Sequence, residues 1–186
     1  MIHVLKKSFL LLIPVGLLLG SCNKDEQTVA PTDDNEAITT ATLTLTNKAL
    51  PGDIVTATVE NLNTTADFSK ATLTLTANAT YSGVVSLLDK TKTPTLDATE
   101  EIREKLNEHL FVYTPSTGLN LTVTNTDKDT NPSPGPYSVG LTFEVVTKAA
   151  STGTLNVVLR HQPNVKNGTA APGSSDLDTK FPVVIK

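Results

Sequence analysis

Apolar and polar residues alternate with a period of two along most of the chain. Ala41, Leu43 and Leu45 alternate with Thr42, Thr44 and Thr46, and Val55, Ala57 and Val59 with Thr56 and Thr58. Leu73 and Leu75 repeat the pattern, as do Leu119, Leu121 and Val123. Three later runs follow it: Val139, Leu141, Phe143 and Val145; Leu155, Val157 and Leu159; Phe181, Val183 and Ile185. Such spacing puts the apolar set on one face of a strand, and the β-branch of threonine suits the wet face. Tyr81 to Leu88 is a less regular run, read as a strand buried on both faces. Turn residues separate the runs: Pro51-Gly52, Asn61 to Asp67, Pro132 to Pro136, Ser151 to Gly153, and Asn164 to Gly173.

One segment departs from this period. Asp97 to Leu110 reads as a helix, with Asp97 as N-cap, Glu100 completing a capping box, and Ala98, Ile102 and Leu106 on one face. Glu101 and Lys105 stand in i,i+4 register. Ala-Thr-Leu-Thr-Leu-Thr occurs at 41–46 and at 71–76, but the flanks differ, so it reads as one strand rule written twice. The fold expected is all-β: an Ig-like or related antiparallel sandwich of about 7–9 strands with one short inserted helix.

The first residues follow another rule. Lys6 and Lys7 precede an apolar run, Phe9 to Leu19, and Leu19-Gly20-Ser21 leads into Cys22, the one cysteine of the chain. This is the layout of a secretory signal peptide, with an apolar stretch shorter than the roughly 20 residues of a bilayer span. A lone cysteine in an exported chain has no disulfide partner within it. Leu-Gly-Ser-Cys resembles the bacterial lipobox, which implies cleavage before Cys22 and acylation of its thiol. Acyl chains buried at about 0.8 kcal/mol per methylene then hold the protein to a bilayer. The organisation expected is a leader over 1–21, a lipidated polar tether over 22–36, and a sandwich domain over 37–186. A charged stretch just after the cysteine (Asn23-Lys24-Asp25-Glu26) resembles the surface-export signal of Bacteroidetes lipoproteins.

Composition narrows the partners. The formal net charge is −4, and loss of Lys6 and Lys7 with the leader makes it more acidic. An acidic chain without a basic cluster argues against nucleic acid and against electrostatic attachment to anionic lipid. Tryptophan is absent and aromatics are 4% of the residues, so the core must be aliphatic and stacking platforms for sugars or bases are few.

Candidate chemistry is sparse. His109 lies seven residues after Ile102, on the apolar side of the expected helix, and His161 keeps the inward parity of Leu155, Val157 and Leu159. Two inward imidazoles can ligate a haem iron axially, or a divalent metal with Glu108 or Asp176 as third ligand. They can equally be half-buried histidines that each donate to a carbonyl. Asp127, Asp129 and Asn131 have the D-x-D-x-N opening of a calcium loop, but Pro132 stands where an EF-hand needs glycine and Ser138 where it needs glutamate. The bland alternative is a polar loop whose side chains cap their own turn. Glu100, Glu101, Glu104 and Glu108 form an acidic run read as a solvated helix face. Nucleophile elbows, phosphate loops, His-Glu-x-x-His and paired CxxC motifs are missing from the sequence, so a non-catalytic protein is expected.

Several segments together resemble a family of small uncharacterised Bacteroidetes lipoproteins. They are Asn35-Glu36-Ala37-Ile38-Thr39-Thr40, Thr99-Glu100-Glu101-Ile102 running to Glu108-His109, the D-x-D-x-N loop leading into Gly140-Leu141, and Leu159-Arg160-His161-Gln162-Pro163. Members are sometimes labelled as a type 1 periplasmic binding fold, which this chain lacks the strand–helix alternation to form. The loop Asn47 to Asp53 is shorter than the Asp/Gly-rich loop common in that family. The resemblance implies an outer-membrane lipoprotein, periplasmic or surface-facing, and both histidines fall within the shared motifs. The function expected is a binding module that captures metal or haem beside a TonB-dependent receptor; the rival is a structural or adhesive module without a small-molecule site.

Overall fold

The computed structural model describes residues 37–186. Cys22, the leader over 1–21 and the tether over 22–36 lie outside the described residues. The domain is a two-sheet β-sandwich with one short helix, as the period-two pattern predicts, built of eleven strands rather than the about 7–9 expected. The strands are β1 (Thr40–Asn47), β2 (Ile54–Glu60), β3 (Asp67–Lys70), β4 (Leu73–Leu75), β5 (Thr80–Asp89) and β6 (Leu96–Asp97). After helix α1 (Ala98–Glu104) and a 3-10 turn (Leu106–Glu108) come β7 (His109–Pro115), β8 (Leu121–Asn125), β9 (Thr142–Thr147), β10 (Ser151–His161) and β11 (Ser174–Ile185).

The larger sheet runs β3-β2-β1-β5-β9-β8, with β6 beside β5; the smaller runs β4-β11-β10-β7. All pairs are antiparallel except β4 with β11, which is parallel. Leu43, Leu45, Ala57, Val59, Leu87, Phe143 and Val145 from the larger sheet meet Leu73, Leu75, Phe111, Val157, Leu159, Phe181 and Val183 from the smaller one. The threonines that alternate with these aliphatics in β1 and β2 stay on the outer face, where Thr42 Oγ1 and Thr58 Oγ1 pair at 3.0 Å. Tyr81 to Leu88 is not buried on both faces. It alternates like its neighbours, with Tyr81, Gly83, Val85 and Leu87 inside. Gly83 is needed there because a Cβ would sit 2.2 Å from the Phe143 ring. The repeated hexapeptide takes two roles, eight-residue β1 in one sheet and three-residue β4 in the other, since packing rather than propensity sets strand length.

The helix is shorter than its pattern. Asp97 caps it, accepting from the Thr99 amide at 2.9 Å, but regular helix ends at Glu104. The reason lies in tertiary contacts at its C-terminal end, where carbonyls without helical partners must find donors. The Leu106 carbonyl accepts from Lys166 Nζ (2.8 Å), that of Asn107 from Asn131 Nδ2 (3.1 Å), and that of Glu108 from the Gln162 amide (2.6 Å). His109 therefore opens a strand instead of closing a helix.

Candidate metal centre

The smaller sheet brings the two histidines together. β7 and β10 pair so that His109 lies opposite His161 at the end of the ladder. Residues opposite each other on adjacent strands share a face, and these two stack with ring centroids 4.9 Å apart, 7° from parallel. His109 is 2% exposed and His161 13%.

A bulge supplies the carboxylate. Along β11, Leu177 faces Leu159 but Ser175 faces Arg160, so Asp176 is the extra residue between them. On a regular strand Asp176 would share the outward parity of exposed Asp178 and Lys180; the bulge turns it inward, and its side chain is 4% exposed. Its Oδ2 lies 3.8 Å from His109 Nε2 and 4.0 Å from His161 Nδ1. One donor atom from each of His109, His161 and Asp176 lies within 4.8 Å of the other two, the one such cluster of three or more His, Cys, Asp or Glu side chains among the described residues. Glu108, the fourth residue named from sequence, sits behind His161 with Oε2 3.6 Å from Nε2.

The far side of each ring has its own acceptor. His109 Nδ1 is 3.0 Å from the Lys105 carbonyl, which can only accept. The proton is therefore on Nδ1, and the Nε2 lone pair faces Asp176. His161 Nε2 faces the Glu108 carboxylate and has no hydrogen bond within 3.5 Å. A proton there leaves the Nδ1 lone pair facing Asp176 as well. Metal-binding histidines are oriented in this way, the outer N–H on a carbonyl or carboxylate and the inner nitrogen on the ion.

Electrostatics favours the forms a metal needs in one respect and opposes them in another. Burial pushes the His109 pKa below its ordinary value, against the hydrogen bond to Lys105, so the ring is neutral and a ligand. Burial pushes the Asp176 pKa up, against the pull of His161 and Arg160. No protein group among the described residues donates a hydrogen bond within 3.5 Å to this buried carboxylate, and a buried charge without a partner is costly. A divalent cation between the two imidazoles and the carboxylate removes that cost.

The donor set of two imidazoles and a carboxylate suits zinc and neighbouring late transition metals. Ligands of one such ion lie about 3.3 Å apart, given bonds of about 2.0–2.2 Å, so the observed 3.8 and 4.0 Å need only a small contraction. Near-parallel rings do not aim both lone pairs at one point. One must turn, and it is His161, since Lys105 pins His109. Haem does not fit. Axial ligation needs the two imidazoles end-on on opposite faces of the macrocycle, their nitrogens pointing toward each other across the iron; these rings instead stack face to face, 4.9 Å between centroids and 7° from parallel.

The loop read as a calcium opening is differently employed. Asp127 accepts from the amides of Gly140 (2.6 Å), Leu141 (2.9 Å) and Thr142 (3.2 Å). Asp129 accepts from the amides of Tyr137 (2.7 Å) and Asn131 (3.1 Å), from Asn131 Nδ2 (2.7 Å), and from Lys166 Nζ (2.8 Å). These oxygens are turned onto donors inside the protein, and a buried ammonium occupies the position where a cation would lie. Lys166, Gln162 and Asn107 carry much of this arrangement, yet none stands in a local pattern that sequence reading could detect.

No known protein-family model matches the chain, and no curated protein or solved structure shows significant similarity to it.

Proposed function

We propose that this protein is a non-catalytic module of the bacterial cell envelope that binds a divalent transition metal of the zinc class through His109, His161 and Asp176. The observation that carries the reading is the buried, undonated Asp176 carboxylate with an imidazole nitrogen 3.8 Å to one side and 4.0 Å to the other. Three protein ligands leave one coordination position for water or for a donor from another molecule, as suits a site that takes up and hands on an ion. Anchoring through acylated Cys22 rests on the Leu19-Gly20-Ser21-Cys22 segment behind an apolar run, and an outer-membrane receptor as acceptor of the ion rests on the family resemblance alone. Against a purely adhesive or structural module stands the separation of the histidines, 4.9 Å between centroids rather than the 10 Å or so that one ion cannot bridge.

Titration of the metal-free protein with Zn2+ or Co2+ tests this. One equivalent should bind, with a Co2+ visible spectrum of low coordination number, and His109→Ala, His161→Ala and Asp176→Asn should each abolish it. Binding that survives all three substitutions, or none in the wild type, overturns the metal reading. Mass spectrometry of the native N-terminus tests the anchor: an unmodified Cys22 thiol ends it.

A further inference from the structure

The oxygens of the loop that resembles a cation site are turned onto donors within the protein, and the bonds of Asp129, Thr130 and Asn131 converge on the short turn just before His109. Asp129 and Lys166 form an ion pair at 2.8 Å whose side chains are 0% and 1% exposed. The same Lys166 Nζ donates to the Leu106 carbonyl. Asn131, held by Asp129, donates to the Asn107 carbonyl, and Asn107 Oδ1 accepts from both the amide and the hydroxyl of Thr130. The amide of Gln162, next to His161, donates to the Glu108 carbonyl. Each carbonyl of the 106–108 turn thus has a donor from another part of the chain, and the Glu108 side chain emerges from that turn facing His161 Nε2.

We propose that the buried Asp129–Lys166 pair is a positioning device for the histidine site, fixing the 106–108 turn so that Glu108 selects the tautomer of His161. The inference rests on the metal reading for its purpose but not for its test. A buried ion pair is poor evidence of stability, because apolar side chains of similar volume do as well or better, so its retention asks for a task of this kind. Burial pulls the Lys166 pKa down, and the Asp129 carboxylate opposes that pull. Asp129, in turn, is held low although burial acts to raise it, because Lys166, Tyr137 and Asn131 together outweigh burial. Neither Asp129 nor Lys166 touches the proposed ion; both act through Glu108.

The test is a cycle of Lys166→Met and Glu108→Gln in the full-length protein, read in two ways. In the metal-free state, 15N chemical shifts of the His161 ring report its tautomer. Wild type should show the proton on Nε2, whereas Lys166→Met and Glu108→Gln should both show a mixture. In the Zn2+ titration each single variant should bind about 10–100-fold more weakly, the usual effect of losing a partner behind a ligand. The double variant should be no weaker than Glu108→Gln alone. Asp129→Leu with Lys166→Met fills the same space without the ion pair, and should show the same tautomer mixture should Lys166→Met fail to fold. Additive losses, or an unchanged His161 tautomer in folded Lys166→Met or in the filled pair, overturn the inference. A wild type that binds no zinc overturns the metal reading, and the tautomer measurement still decides the role of the pair.

Discussion

Asp176 sets the tension in this molecule. Its side chain is nearly out of water, no donor among the described residues lies within 3.5 Å of it, and burial drives its pKa upward. A group whose folded pKa is raised contributes stability below its unfolded value and loses it as pH rises through the folded value. Above that folded value the ionised side chain therefore works against the fold. Asp176→Asn should stabilise the metal-free protein at pH 7 by about 1–3 kcal/mol, the range for relieving a buried unsatisfied group, while removing metal binding. Urea denaturation measures it, and a destabilised variant would contradict the assignment. His109 works in the opposite sense. Its folded pKa is lowered by burial, so below the unfolded value of about 6.5 the unfolded chain takes up the proton first and stability falls with pH. His109→Gln should flatten the decline in melting temperature between that pH and the folded pKa. At this scale the sequence was half legible. The parity of His161 on its strand is plain, but that of Asp176 is the parity of exposed neighbours, and only the bulge reverses it.

At the scale of elements, the site depends on where one helix stops. The pattern from Asp97 to Leu110 is helical in its caps and spacing, yet the helix yields to β7 because two other segments supply donors to its last carbonyls. Those donors come from Asn131, Gln162 and Lys166, and nothing local marks them. The threonine-faced strands needed no such help; β1 and β2 follow from alternation alone, and β3 and β6, four and two residues long, are too short to show a period. The turn into β11 is a second dependence. Gly173 has φ +78°, and a Cβ there would lie 1.9 Å from the His161 carbonyl oxygen. Arg160 holds the same turn by donating to the carbonyls of Pro172 (3.1 Å) and Gly173 (2.6 Å). Gly173→Ala should cost about 1–3 kcal/mol in urea denaturation, because both backbone strain and a backbone collision must be relieved. A change within about 0.5 kcal/mol, the scale of neutral surface substitutions, would show that the turn is looser than this.

Across the molecule, the candidate metal centre lies at one end of the smaller sheet, on β7, β10 and β11, while the larger sheet presents threonine to solvent. The sandwich architecture was readable from the period-two code, because a chain so poor in aromatics has to build its core from many regularly spaced aliphatics. The pairing of β7 with β10 was not readable, since sheet order depends on contacts far apart in the chain. An ion that binds only the folded state should stabilise the domain as a whole. At a free zinc concentration 100 times Kd the gain is about 2.7 kcal/mol, or roughly 5–10 °C in melting temperature for a domain of this size. Differential scanning calorimetry with and without zinc measures it, and His161→Ala should show no shift.

The three donors stand on strands that meet only after the last of them has been laid down, and one of the three faces inward only because β11 is bulged against β10. An unfolded chain therefore holds no such nest of ligands. Any ion held there is acquired only once the smaller sheet has closed, so its loading would report the metal supply around the folded domain rather than that met by the extended chain.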